Sequence, residues 1–230
     1  MEAAIEESIT FLEAVGTKLS SDKEALLLLR LEMARRTLQA GRIEAAKEKL
    51  DACKSVLMDF AELDSSVNSA FYRVSALLEK TLGNAGEFYK CSLLYLAYTP
   101  LDSLSPEEKQ ALAFDLGLAA LCAEKIYQFG ELLLHPIIKC LQGTPGEWLV
   151  TLLDAFNRGD IAAFEKVSAE KEAAIKQQPA LVGNAQRLRE KIRIFALLEQ
   201  LRDIPADCRT VAFEEIAIRT KLPEQEVWLL

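Results

Sequence analysis

Acid–base or metal chemistry near neutral pH would have to be built around one residue, because His135 is the only histidine in the chain. A Cys–His nucleophilic pair or an imidazole-based metal centre would both need it. It stands directly before Pro136 inside an apolar run, where a helix is expected to break. A polar ring at such a break has a plainer use, which is to satisfy backbone groups that the helix leaves open. Five cysteines, Cys53, Cys91, Cys122, Cys140 and Cys208, are scattered with no Cys-x-x-Cys pair. That spacing suggests neither a disulfide framework nor a zinc knuckle and fits a reducing compartment. Cys53 and Cys122 fall on apolar stripes, where a cysteine serves as a small buried hydrophobe rather than a nucleophile.

Gly83-Asn84-Ala85-Gly86 followed by Lys90 has pieces of a phosphate cradle. No strand is expected before it and the Walker spacing ending in Lys-Ser/Thr is absent, so it reads as the turn between two helices. The pairs Glu6-Glu7, Glu107-Glu108 and Glu214-Glu215 sit side by side in early helical turns, where they compensate the positive helix pole. Arg187, Arg189, Lys191, Arg193 and Arg202, set against Glu190 and Glu199, make one locally basic helix, which reads as a solvated face. No catalytic, cofactor-binding or metal-ligating residue is assigned, and no small-molecule ligand is expected.

The elements that carry these residues are helices. With only 10 Gly and 7 Pro in 230 residues, there is little turn chemistry for a many-stranded sheet. From Lys23 to Ala40, Leu27, Leu31, Ala34 and Leu38 recur at helical spacing until Gly41; Ile43, Ala46, Leu50, Cys53 and Leu57 repeat the stripe at once. The result is a helical hairpin whose turn resembles that of a tetratricopeptide repeat. The same grammar returns at Leu82 to Tyr89 and at Asn157 to Phe164. About four or five such hairpins, stacked because none can bury its apolar face alone, predict an irregular solenoid in the form of a curved rod.

Ser105-Pro106-Glu107-Glu108 predicts a helix start, with the helix running through Cys122. Pro136 and the Gly143-Thr144-Pro145-Gly146 turn predict breaks before a helix bearing Trp148, Leu149, Leu152 and Phe156. Two further helices are predicted near Ile161 to Lys176 and Leu181 to Leu201. Tyr127, Phe129, Trp148, Phe156 and Phe164 are at spacings that favour the core over an interface. After Asp203-Ile204-Pro205, a short helix over Thr210 to Ala217 and a second beginning near Thr220, with Leu222 at the turn, look like the first half of a helix-turn-helix.

The formal charge of −8 opposes binding to nucleic acid. From Pro205 onward five acids, Asp207, Glu214, Glu215, Glu224 and Glu226, face three bases, Arg209, Arg219 and Lys221, so protein contact is favoured over DNA there as well. The longest apolar stretches fall far short of the roughly 20 residues that a membrane span needs, and no basic, apolar leader opens the chain.

The stretch Glu124 to Leu133, then His135-Pro136-Ile137, Trp148-Leu149, Ala155-Phe156-Asn157, Gly159-Asp160, Leu188 to Ile192 and Phe213 to Ala217, resembles the PCI-domain lid subunits of the 26S proteasome regulatory particle. The likeness is specific from about Phe71 onward; before that it lies mainly in the hairpin grammar. It implies an all-α chain, a right-handed helical-hairpin solenoid over residues 1–203 leading into the truncated start of a winged helix over residues 204–230. Leu229-Leu230 ends on an unfinished helix, so a piece of a longer protein is expected. The resemblance further implies a non-catalytic scaffold in the lid, other lid subunits as partners, and a cytoplasmic and nuclear setting. It places subunit packing on Phe213, Glu214, Glu215, Ile216 and Leu222. A PCI scaffold of the COP9 signalosome or of a translation-initiation complex would share the fold and differ in partners, and a hydrolase centred on His135 is the remote alternative.

Overall fold

The structure, a computed structural model, describes residues 2–19, 22–59, 63–202, 204 and 210–229, and among these there is no strand. The all-α expectation holds. The chain divides into two compact units, Met1–Ser105 and Pro106–Leu230.

The first unit contains α1 (Glu2–Gly16), α2 (Lys23–Gln39), α3 (Ile43–Met58), α4 (Ser65–Leu82) and α5 (Ala85–Tyr98), then a 3-10 turn at Leu101–Ser103. Aspartates start two of these helices. Asp22 accepts the N–H groups of Glu24 and Ala25 at 3.1 and 3.0 Å, and Asp64 accepts that of Ser66 at 2.7 Å. The expected stripe of α2, Leu27, Leu31, Ala34 and Leu38, is buried against Ala46, Leu50 and Cys53 of α3. Val67, Phe71, Val74 and Leu78 of α4 complete this core at the same helical spacing. Each fully buried leucine here contributes about 2 kcal/mol. Gly41, at φ 78°, closes the α2–α3 hairpin, and Arg42 beside it forms an ion pair with Glu6 of α1. The α4–α5 hairpin is fastened at its open end by Ser69 and Thr99, whose hydroxyls lie 2.7 Å apart. Stacked Tyr72 and Tyr98 rings, 5.7 Å between centroids, reinforce that end.

The second unit contains α6 (Pro106–Cys122), α7 (Gly130–Leu134), a 3-10 helix at Pro136–Leu141, α8 (Glu147–Asn157), α9 (Ile161–Glu170), α10 (Glu172–Lys176), α11 (Pro179–Gly183), α12 (Ala185–Arg202), α13 (Phe213–Thr220) and a 3-10 helix at Glu224–Leu229. The start of α6 at Pro106 and the breaks at Pro136 and Pro145 fall where the sequence predicts them. Both long helices predicted after Ile161 are interrupted. At Lys171 the interruption is a kink of one residue, φ −111° and ψ 22°, with backbone bonds continuing on either side at 2.9 Å. At Asn184 the side-chain amide donates to the Ala180 carbonyl at 2.8 Å, offering that carbonyl a partner outside the helical ladder. Pro179 moves the helix start two residues ahead of Leu181.

Candidate functional site

The segment singled out for protein contact is α13 and the turn after it. Glu214 and Glu215 occupy the first turn of α13 and Arg219 the last, a charge order that suits the helix dipole. The helix stops at Lys221, which takes the left-handed conformation at φ 53°. The Leu222 N–H then bonds the Ala217 carbonyl at 3.1 Å, and the Thr220 hydroxyl donates to Ile216 at 2.6 Å. Lys221 also forms an ion pair with Glu165 of α9, fixing the turn to the body of the second unit. The five named residues divide accordingly. Phe213, Glu214 and Glu215 are exposed, Phe213 by 60%, whereas Ile216 and Leu222 are half-buried. Two further apolar side chains are exposed nearby in the chain, Ile218 of α13 at 80% and Trp228 of the 3-10 helix that follows at 75%. Sequence reading missed both, and no local signal in the sequence marks them as exposed.

His135 acts as the plainer reading expects. Its side chain caps the 3-10 helix, with Nδ1 accepting the Ile137 N–H at 3.2 Å, which requires a neutral imidazole at that atom. Burial pulls its pKa below 6.5 against the opposing pull of Glu131. As pH falls below 6.5 the unfolded chain takes up a proton before the folded one, so stability decreases on acidification. A His135→Asn variant, which keeps an acceptor without the titration, is expected to show a shallower pH slope of its urea midpoint. Identical slopes would dismiss the imidazole as the cause.

The thiols of Cys53, Cys91 and Cys122 are pushed up by burial, away from the thiolate that nucleophilic chemistry needs. Cys208 lies outside the described residues. Gly83 ends α4 in the left-handed conformation at φ 76°, Asn84 donates to Glu79 at 2.7 Å, and Lys90 pairs with Glu87 at 2.7 Å. The would-be cradle is thus the turn of a helical hairpin, with its cation occupied. Among the described residues no three His, Cys, Asp or Glu side chains cluster as metal ligands.

Arg187, Arg189 and Arg202 of the basic helix are exposed, as the reading of a solvated face expects, but Lys191 departs from it. It is 5% exposed, and its ammonium donates to the carbonyls of Ala120, Leu121 and Ala123 at 2.9, 3.1 and 2.8 Å. These oxygens belong to the C-terminal end of α6, where carbonyls lack intrahelical partners and the dipole is negative. The rings of Tyr127 and Phe129 lie 5.4 and 5.1 Å from the ammonium, adding cation–π attraction. Burial brings the pKa of Lys191 down to about 8. Arg187 of the same helix pairs with Glu124 at 2.8 Å.

Below this clasp lies an aromatic core. Phe129 stacks on Phe195 at 5.0 Å and meets Phe156 edge-on at 5.9 Å, and Phe156 meets Phe164 edge-on at 5.4 Å. Phe129, Phe156 and Trp148 are buried, as the core reading expects, while Tyr127 remains 39% exposed. The stretch from Glu124 to Leu133 therefore wraps the end of α6 and delivers Phe129 to the centre of the unit.

Known proteins are similar to this sequence. The family model of PSD13 N-terminal repeats matches residues 2–153. The 26S proteasome non-ATPase regulatory subunit 13 homolog B of Arabidopsis thaliana is 43% identical over 96% of this chain and 59% of its own. The 26S proteasome non-ATPase regulatory subunit 13 of Dictyostelium discoideum is 40% identical over 96% of this chain and 58% of its own. The 26S proteasome regulatory subunit RPN9 of Saccharomyces cerevisiae is 32% identical over 89% and 51%. The chain thus spans between about half and three-fifths of the length of these curated relatives. With the repeats matched through the first unit into α8 and the relatives aligned along nearly all of it, the chain belongs to the family of 26S proteasome non-ATPase regulatory subunit 13.

Proposed function

We propose that this chain is a non-catalytic structural part of the lid of the proteasome regulatory particle, supporting assembly of the 26S proteasome and, through it, ubiquitin-dependent protein degradation. The observation that carries this reading is the alignment of nearly the whole chain with relatives named as regulatory subunits of the 26S proteasome. The chemistry of the side chains agrees with a structural role. The sole histidine is spent on a helix cap, and the buried lysine is spent on another. The names of the relatives, regulatory subunits of the 26S proteasome, favour that particle over the COP9 signalosome or a translation-initiation complex, which would need a scaffold of the same fold. In this reading residues 204–230 are the opening of a winged helix, the protein works in cytoplasm and nucleus, and its partners are other lid subunits.

Affinity purification of the tagged chain from cells, followed by mass spectrometry, is expected to recover proteasome lid subunits. Recovery of none of them, or of signalosome or initiation-factor subunits instead, would reject the reading. The exposed end of α13 supplies the contact. A Phe213→Asp, Glu214→Lys, Glu215→Lys variant is expected to recover about tenfold less lid, because exposed aromatic residues anchor protein contacts. An unchanged circular dichroism spectrum would separate loss of contact from loss of fold, and undiminished recovery would move the interface elsewhere.

A further inference from the structure

We propose that the groove between α1, α2 and α3 docks an acidic amphipathic helix of a partner protein. Leu26 to Leu29 is a run of four leucines, and successive residues on a helix point about 100° apart. One direction is taken by the core of the unit through Leu27 and Leu31. Leu26, Leu29 and Met33, spaced i, i+3 and i+7, form a second apolar stripe on α2 that this core does not consume. They floor a groove of about 530 Å³, bounded by the end of α1 at Gly16 and by Ala52 of α3. Leu29 is 9% exposed, and Leu26 and Met33 are half-buried.

The charge around this floor selects the occupant. Arg30 rises from α2 within the stripe and Lys49 from the facing helix α3. Neither makes an ion pair among the described residues, in contrast to Arg35, Arg36 and Arg42 nearby, which are paired with Glu32 or Glu6. Glu13 is the single carboxylate on the rim. The chain as a whole carries −8, so two cations without an ion pair among the described residues, beside an apolar channel, stand out against the surrounding potential. An apolar stripe at helical spacing is met by the like stripe of a second helix, ridges entering grooves. Carboxylates flanking that incoming stripe would pair with Arg30 and Lys49. The groove is lined by none of residues 213–222, so the inference stands or falls independently of the lid contact proposed above.

The probe is a fluorescein-labelled synthetic peptide of about sixteen residues, enough for a marginal helix, with leucines at i, i+3, i+4 and i+7 and glutamates beside them. Its control carries lysines in place of the glutamates. Fluorescence anisotropy with the whole chain is expected to show the acidic peptide binding about tenfold more tightly than the basic one. Arg30→Glu with Lys49→Glu is expected to invert that preference. Ala52→Trp, which fills the channel from α3, is expected to abolish binding of the acidic peptide. Equal binding of the two peptides to the native chain, or a preference untouched by either variant, would overturn the proposal. If the double reversal fails to fold, the peptide pair and the Ala52→Trp variant decide the matter.

Discussion

Replacing Gly159 by Ala is expected to lower the stability of the second unit by about 4 kcal/mol or to prevent its folding. Gly159 joins α8 to α9 at φ 58°, a conformation costing a residue with a Cβ about 1 kcal/mol. The larger part of the loss is steric. A methyl group there would lie 2.6 Å from the Ala196 Cα, 2.7 Å from its nitrogen and 2.7 Å from the Phe195 carbonyl oxygen. These are backbone atoms of α12 and have no rotamer to change. Nor is α12 free to retreat, because Phe195 stacks on Phe129 and Lys191 grips the end of α6. Gly41→Ala is the control. Gly41 has φ 78° and nothing within 4 Å of an added methyl, so that variant should lose only the conformational part, about 1 kcal/mol. Urea denaturation followed by circular dichroism separates the two, and equal losses would show that close approach to α12 is not the cause.

The second large effect is expected at Lys191. Substitution by Met keeps the length of the side chain and leaves the carbonyls of Ala120, Leu121 and Ala123 facing a methyl group in a buried site. An unmet buried acceptor costs about 1–3 kcal/mol. Removing a desolvated charge returns part of that, so a net loss of about 3 kcal/mol is expected for the three together. The pH dependence identifies the cause. The pKa of Lys191 falls from 10.5 to about 8 on folding, so below 8 both states hold the proton and stability is flat with respect to this group. Between 8 and 10.5 the unfolded chain keeps a proton that the folded chain has released, and stability rises with pH. The Met variant should lack that rise. A variant as stable as the native chain, or one with the same slope above pH 8, would remove the clasp from the account.

Much of the fold was legible because its signals are local. Gly41, Gly83 and Gly159 each end a helix at positive φ, and their positions follow from where the apolar periodicity stops. Pro106 opens α6 and Pro136 opens a 3-10 helix, as the missing N–H and fixed φ of proline dictate. The kink at Lys171 was not legible, since the backbone bonds run on around it and neither Gly nor Pro marks it. Lys191 was misread for a different reason. Its neighbours Arg187, Arg189 and Arg193 are surface residues by composition, and its partners stand about seventy residues earlier in the chain, beyond the reach of any periodicity. Of the segment proposed for contact, the helix and its turn were legible; Ile218 and Trp228 were not, because exposure of an apolar residue depends on what fails to cover it.

The distance along the chain between Lys191 and the carbonyls it holds also orders events during synthesis. Alpha-helix six emerges from the ribosome with its terminal oxygens bare, and water must serve them while some seventy further residues are added. Closing a loop of that length carries an entropic cost, and until α12 is made the carbonyls at the end of α6 have no ammonium to hold them. The clasp at the end of α6 therefore waits for α12, whereas the local contacts of the first unit's hairpins join neighbouring stretches of chain.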